Sequence, residues 1–197
     1  MFTVFYLLSS YLVGSLSAAI LVCRALGKGD PRGVGSGNPG ATNVLRAFGK
    51  GPAAATLAGD VLKGFLPVVL AGGLHLTATT VAAAGLAAFL GHLFPIFFAF
   101  RGGKGVATLI GVVFGYDLRL GCGFVLVWLL MAAITRYSSL AALTATALAP
   151  AFVLGLGLPL PEAAALGLMV IAVFWRHREN IQRLRSGNEG RIGARKG

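Results

Sequence analysis

Apolar runs long enough to cross a bilayer fill most of this chain, and its glycine-rich and basic stretches fall between them. A hydrocarbon core takes about 20 apolar helical residues, or fewer where a helix tilts or the bilayer thins. Spans are therefore expected over 2–23, 53–72, 79–100, 105–116, 118–135, 138–155 and 163–176. The short fourth and seventh must lie against neighbours or end at a water-filled cavity, because unsatisfied backbone is costly in lipid. The first run lacks the basic n-region of a cleaved signal and is read as a retained helix. The expectation is an all-α integral membrane protein of about seven transmembrane helices, one domain over 1–197 with a basic tail at about 177–197.

Hydrophobic residues make up 56% of the chain and charged ones only 12%, against about 25% in soluble domains. The net charge of +11 would suit a nucleic-acid binder only if the cations formed one stripe, and they do not. They sit in short turns beside membrane lipids instead. The first connection holds Arg24, Lys28, Arg32, Arg46 and Lys50, a later one Arg101 and Lys104, and another Arg136. Seven more follow the last span: Arg176, Arg178, Arg183, Arg185, Arg191, Arg195 and Lys196. With the N-terminus outside and the C-terminus cytoplasmic, fifteen of the seventeen cations lie on the cytoplasmic side, as the positive-inside rule requires. Arg119 is left outside and Lys63 within a helix.

Asp60 and Lys63, three apart in one span, are expected to neutralise each other. Gly111-x-x-x-Gly115 is suited to close helix packing in lipid. Cys23 and Cys122 have no metal-ligand spacing and are read as packing residues. His92, inside an apolar helix, is a functional candidate by position, but a hydrogen-bonded structural role is favoured.

Three polar segments remain. At 33–46, Gly-Val-Gly-Ser-Gly-Asn-Pro-Gly-Ala-Thr-Asn-Val-Leu-Arg contains Gly-x-Gly-x-x-Gly, yet a transmembrane helix precedes it where a dinucleotide site needs a strand. What it offers is a backbone able to turn amides toward an anion, with Ser36, Gly37, Asn38, Thr42 and Asn43 as partners and Arg46 as a planar phosphate-binding fork. At 91–108, Gly102-Gly103-Lys104-Gly105 precedes a helix start, where backbone amides favour anions and the lysine adds a point charge. It lacks Walker A spacing. At 176–189, His177 and Asn180 are spaced to share a helix face, with Gly187 and Glu189 beyond; Arg191, Arg195 and Lys196 read as a lipid-facing polybasic tail.

Together the three segments resemble the acyl-phosphate:glycerol-3-phosphate acyltransferases, the PlsY family of bacterial membrane enzymes. The resemblance rests on Ser-Gly-Asn-x-Gly-Ala-Thr-Asn-x-x-Arg at 36–46, Gly-His-x-x-Pro with Gly-Gly-Lys-Gly-Val-Ala-Thr at 91–108, and His-Arg-Glu-Asn-Ile-x-Arg-Leu with Gly-x-Glu at 177–189. It implies transfer of an acyl chain from acyl phosphate to the 1-hydroxyl of glycerol 3-phosphate, with the loops on the cytoplasmic face of the bacterial inner membrane. Ser36, His177 and Asn180 would carry the chemistry, Arg46, Lys104 and the loop glycines the phosphates, and Gly187 and Glu189 would support the site. Either His177 or a substrate phosphate could take the hydroxyl proton. No cofactor or metal is expected, and a monomer is. Two rival readings fit less well. Acyl-CoA or carrier-protein enzymes commonly present His-x-x-x-x-Asp, which none of His75, His92 or His177 begins. A transporter for a phosphorylated solute would want polar residues on both faces.

Overall fold

The computed structural model describes residues 1–193. Among these the chain is helical, without a strand. The elements are α1 (Phe2–Gly14), α2 (Ala18–Ala25), α3 (Ala41–Phe48), α4 (Lys50–Gly73), α5 (Ala78–Leu93), α6 (Val106–Tyr116), α7 (Leu118–Thr135), α8 (Ser138–Leu156), α9 (Leu160–Arg176) and α10 (Arg178–Arg185). Large apolar side chains such as Phe5, Leu62, Leu126, Leu154 and Ile171 are exposed around the bundle, as expected where the surrounding solvent is hydrocarbon.

Four helices are long and apolar enough to cross a membrane by themselves: Lys50–Gly73, Ala78–Phe98, Leu118–Thr135 and Ser138–Leu156. Two bent pairs join them, α1 with α2 at 49° and α9 with α10 at 55°, and α6 is the short apolar helix. The expected segments are therefore present, with corrections at their ends. The first is not one helix over 2–23 but breaks at residues 15–17. Lys63 Nζ donates to the Leu16 carbonyl freed by that break at 2.8 Å. The third ends at Leu93 rather than 100, because Phe94, preceding Pro95, is held out of helical geometry at φ −130° and ψ 64°. The seventh starts at Leu160 rather than 163, since Pro161 is compatible with the first helical turn. Segment 33–46 is not all loop, for α3 begins at Ala41.

Close helix contact depends on glycine at one seam in particular. A Cβ at Gly111 would strike the Val61 carbonyl and the Phe65 amide, so α6 lies directly on the α4 backbone. The Asp60–Lys63 pair forms at 2.7 Å, both residues buried. Cys23 is a packing residue, but Cys122 is exposed, so its packing role is corrected.

Candidate active site

Sequence order places the three polar segments far apart, and the fold returns them to one end of the bundle around a cavity of about 880 Å³. Its lining includes Ser36, Asn38, Thr42, Asn43, Arg46, Lys104, Gly105, His177, Asn180 and Glu189. The starts of α3 and α6 both reach it, through Gly40 and Ala41 and through Gly105 and Val106. Two helix N-termini thus bring amides and partial positive charge to the same space. Gly105 is required at its turn: φ is +89°, and a Cβ would enter the Phe89 ring.

The first segment is braced by its own asparagine. Asn43 Oδ1 accepts the Ser36 amide at 2.9 Å, and Nδ2 donates to the Pro31 and Val34 carbonyls at 2.8 and 3.0 Å. Expected as a phosphate ligand, Asn43 instead spends its amide on loop shape. The Ser36 side chain is left exposed on the cavity wall. Thr42 Oγ1 lies 3.2 Å from Ser138 Oγ. Arg46 Nη2 donates to the Gly190 carbonyl at 2.9 Å, tying α3 to the tail.

The second and third segments meet through Lys104, whose ammonium donates to Asn180 Oδ1. Asn180 Nδ2 passes the contact on to Glu189 Oε1 at 2.7 Å, which also accepts from Ser139 Oγ at 2.6 Å. Arg183 Nε holds the other carboxylate oxygen at 2.8 Å. Glu189, expected to support the site, is therefore the hub of this network. Its burial alone would raise the carboxyl, but the bonds from Ser139, Arg183 and Asn180 hold it below the usual range. Lys104 is pushed down to about 8, first by burial and then by the Arg183 charge.

His177 stands one residue past α9. Its Nδ1 lies 2.8 Å from the Val173 carbonyl; a carbonyl only accepts, so Nδ1 carries the hydrogen and Nε2 the lone pair. Burial is the leading cause that takes His177 down to about 4, which leaves it neutral at pH 7.

Some expected residues lie elsewhere. Gly37, Gly102, Gly103 and Gly187 do not line the cavity. The Gly102 and Gly103 carbonyls accept from Arg176 at 2.7 and 3.1 Å on the far side of the loop, because forming α6 after Gly105 turns the preceding carbonyls away. Gly187, at φ +73°, follows the end of α10 in open space. Arg191, expected on lipid, instead reaches the cavity rim and donates to Tyr137 Oη at 3.2 Å. Arg195 and Lys196 lie outside the described residues. His92 lines the cavity with Asp60, its Nδ1 3.6 Å from Asp60 Oδ1. No hydrogen bond to that nitrogen forms among the described residues, contrary to the bonded histidine expected. Ser138, Ser139 and Arg183 were not assigned to the site from sequence; two serines opening a helix beside the Arg136 turn were the available signal.

Comparison with known proteins shows the family and the fold. The family model described as Glycerol-3-phosphate acyltransferase matches residues 4–187. A glycerol-3-phosphate acyltransferase of Halorhodospira halophila is 53% identical over 194 residues, covering 98% of each chain. One from Thioalkalivibrio sulfidiphilus is 53% identical over 186 residues, covering 94% of this chain and 92% of its own. Crystal structures of PlsY, an integral membrane glycerol 3-phosphate acyltransferase, superpose with TM-scores of 0.93 for its glycerol 3-phosphate form and 0.91 for its lysophosphatidic acid form. They are 40% and 39% identical, and each comparison covers 98% of this chain and 96% of the other.

Proposed function

Because the chain belongs to the glycerol-3-phosphate acyltransferase family, we propose that it transfers a fatty acyl group from acyl phosphate to the 1-hydroxyl of glycerol 3-phosphate. The observation that supports this reading is one cavity of about 880 Å³ lined by Lys104, Arg46 and the starts of two helices, a setting suited to two phosphates. Two such anions repel unless cations and aligned amides lie between them. Acyl phosphate is already activated, so the substrate hydroxyl attacks its carbonyl carbon directly. A new ester C–O bond forms, the bond from the acyl carbon to the phosphate oxygen breaks, and phosphate leaves with the electron pair. The Ser36 hydroxyl, exposed on the cavity wall, would donate to the developing oxyanion. Asn180, gripping both Lys104 and Glu189, sets the position of the ammonium.

The hydroxyl proton needs an acceptor whose pKa lies near the working pH. His177, held to about 4, is a poor match, whereas a phosphate monoester titrates near about 6. A substrate phosphate is therefore the favoured base.

Donor choice tests the reaction directly. Purified protein supplied with acyl phosphate and glycerol 3-phosphate is expected to release phosphate without coenzyme A or carrier protein; equal or better turnover with acyl-CoA would contradict the proposal. Its pH dependence tests Lys104. The free-enzyme lysine carries its charge below pH about 8 and loses it above, while the glycerol 3-phosphate dianion is fully formed by then. Thus kcat/KM should fall as pH rises through about 8, and in Lys104→Arg that fall should disappear.

The site is further proposed to face the cytoplasm of a bacterial inner membrane. This rests on the charge distribution. Cysteines introduced at Ser36 and Ser186 should react with impermeant thiol reagents in inverted membranes and not in intact spheroplasts; the reverse pattern would overturn the orientation.

A further inference from the structure

A second groove, of about 720 Å³, lies on the opposite side of the two glycine loops. Its walls carry three guanidiniums, from Arg32, Arg101 and Arg176, against a single carboxylate, Asp30. Asp30 is engaged with Arg32 at 2.7 Å. Arg176 donates to the Gly102 and Gly103 carbonyls and pairs with no carboxylate among the described residues. Arg101 is exposed and likewise has no such partner. The groove therefore keeps an excess of positive charge that the reaction site does not use.

Its rim is apolar. Phe100, which lines the groove, is 56% exposed, and Ile96 and Phe97, four and three residues before it in the chain, are 47% and 55% exposed. Ala99 and Phe100 also sit at φ 55° and 58°, a left-handed conformation that costs a non-glycine residue energy and persists only where the surroundings impose it. That turn brings Phe100 and Arg101 to the same groove. Cations bordered by exposed aromatics match an amphiphile with an anionic head and an apolar body.

We propose that this groove binds the phosphodiester headgroup of an anionic phospholipid, with its acyl chains over Ile96, Phe97 and Phe100. A free phosphate would satisfy the arginines but leave the apolar rim uncovered, so the lipid is the occupant that fits both features. The groove shares Gly102 with the loop that carries Lys104, and bound lipid would rest against the Arg176 guanidinium that holds that loop.

The test is lipid selectivity of the intact protein in nanodiscs of equal phosphatidylglycerol and phosphatidylcholine, with tightly retained lipid identified by native mass spectrometry. Wild type is expected to retain phosphatidylglycerol in excess. Arg101→Gln should lower that excess about fivefold, and Phe100→Gly, which keeps the backbone conformation, should lower it as well. Lys104→Ala should leave it intact. Loss in Lys104→Ala instead would place the lipid in the main cavity. Equal loss in Arg185→Gln would mean a general electrostatic belt, and displacement by millimolar inorganic phosphate would mean a free-anion site. Each of these results, or unchanged selectivity in Arg101→Gln, overturns the proposal. Because the readout is binding, it stands apart from the donor assay: failure there would leave this result untouched.

Discussion

Lys104→Ala is expected to lower kcat/KM for glycerol 3-phosphate by about 10- to 150-fold, corresponding to the loss of a charge-assisted contact worth about 1.5–3 kcal/mol. The upper part of that range is favoured because the ammonium does two things. It supplies charge beside the N-terminus of α6, and it holds Asn180 Oδ1, which is linked to Glu189 and Arg183. Arg46→Ala should fall toward the lower end, since Arg46 also spends a donor on the Gly190 carbonyl. If these contacts are equal in ground and transition states, KM rises while kcat holds. His177→Asn provides the contrast: it keeps a neutral polar side chain but cannot accept the proton. With substrate phosphate as base, kcat should stay within a few-fold of wild type, and a loss of several decades would make the histidine the base. Full activity in both Lys104→Ala and Arg46→Ala, with protein correctly inserted, would mean that the anion site is misassigned.

The second large effect is on stability and comes from one methyl group. Gly111→Ala places a Cβ against the Val61 carbonyl and the Phe65 amide, which are main-chain atoms that cannot rotate aside. The α4–α6 seam must open, at a cost of about 1–3 kcal/mol for overpacking. At roughly 2–4 °C per kcal/mol for a chain of this size, the thermal midpoint in detergent should fall by about 2–12 °C. Gly155→Ala is the matched control. Nothing lies within 4 Å of its Cβ position, so replacing this glycine in the last turn of α8 should be neutral or stabilising by up to about 0.5–1 kcal/mol. Equal midpoints for the two variants would show that α6 does not rest on α4 in the manner described. Activity should follow the midpoint in Gly111→Ala, because α6 carries Gly105 and its flanking lysine at its start.

Much of the site was legible before the fold because its chemistry is written in contiguous segments. Lys104 stands beside a helix start, and a glycine-rich stretch of small polar residues ends in Arg46; both patterns point locally to an anion, and both reach the cavity. Asn43 shows where this fails. By composition it is one more hydrogen-bonding side chain, and only its contacts with Ser36, Pro31 and Val34 turn it from ligand into brace. Glu189 is the converse: four residues past the end of α10 it reads as support, and only its bonds with Ser139 and Arg183 show it to be the hub. The His92 environment was likewise invisible, since Asp60 and the cavity reach it from other segments.

The sequence alone determined the solvent class, the number and order of the apolar segments and the three loops that carry the polar chemistry. Those properties follow from hydropathy over a window and from residue types at short spacing, which act without knowledge of distant chain. Tertiary structure decided where helices stop, as at the break near Leu16 whose carbonyl Lys63 takes up, and which side of each loop faces the cavity. Gly102 and Lys104 are two residues apart, but one faces the second groove with its carbonyl on Arg176 while the other faces the cavity. That division is set by contacts with partners more than seventy residues away in the chain, Arg176 for one and Asn180 for the other. Local propensity carries no information about such partners; packing selects them.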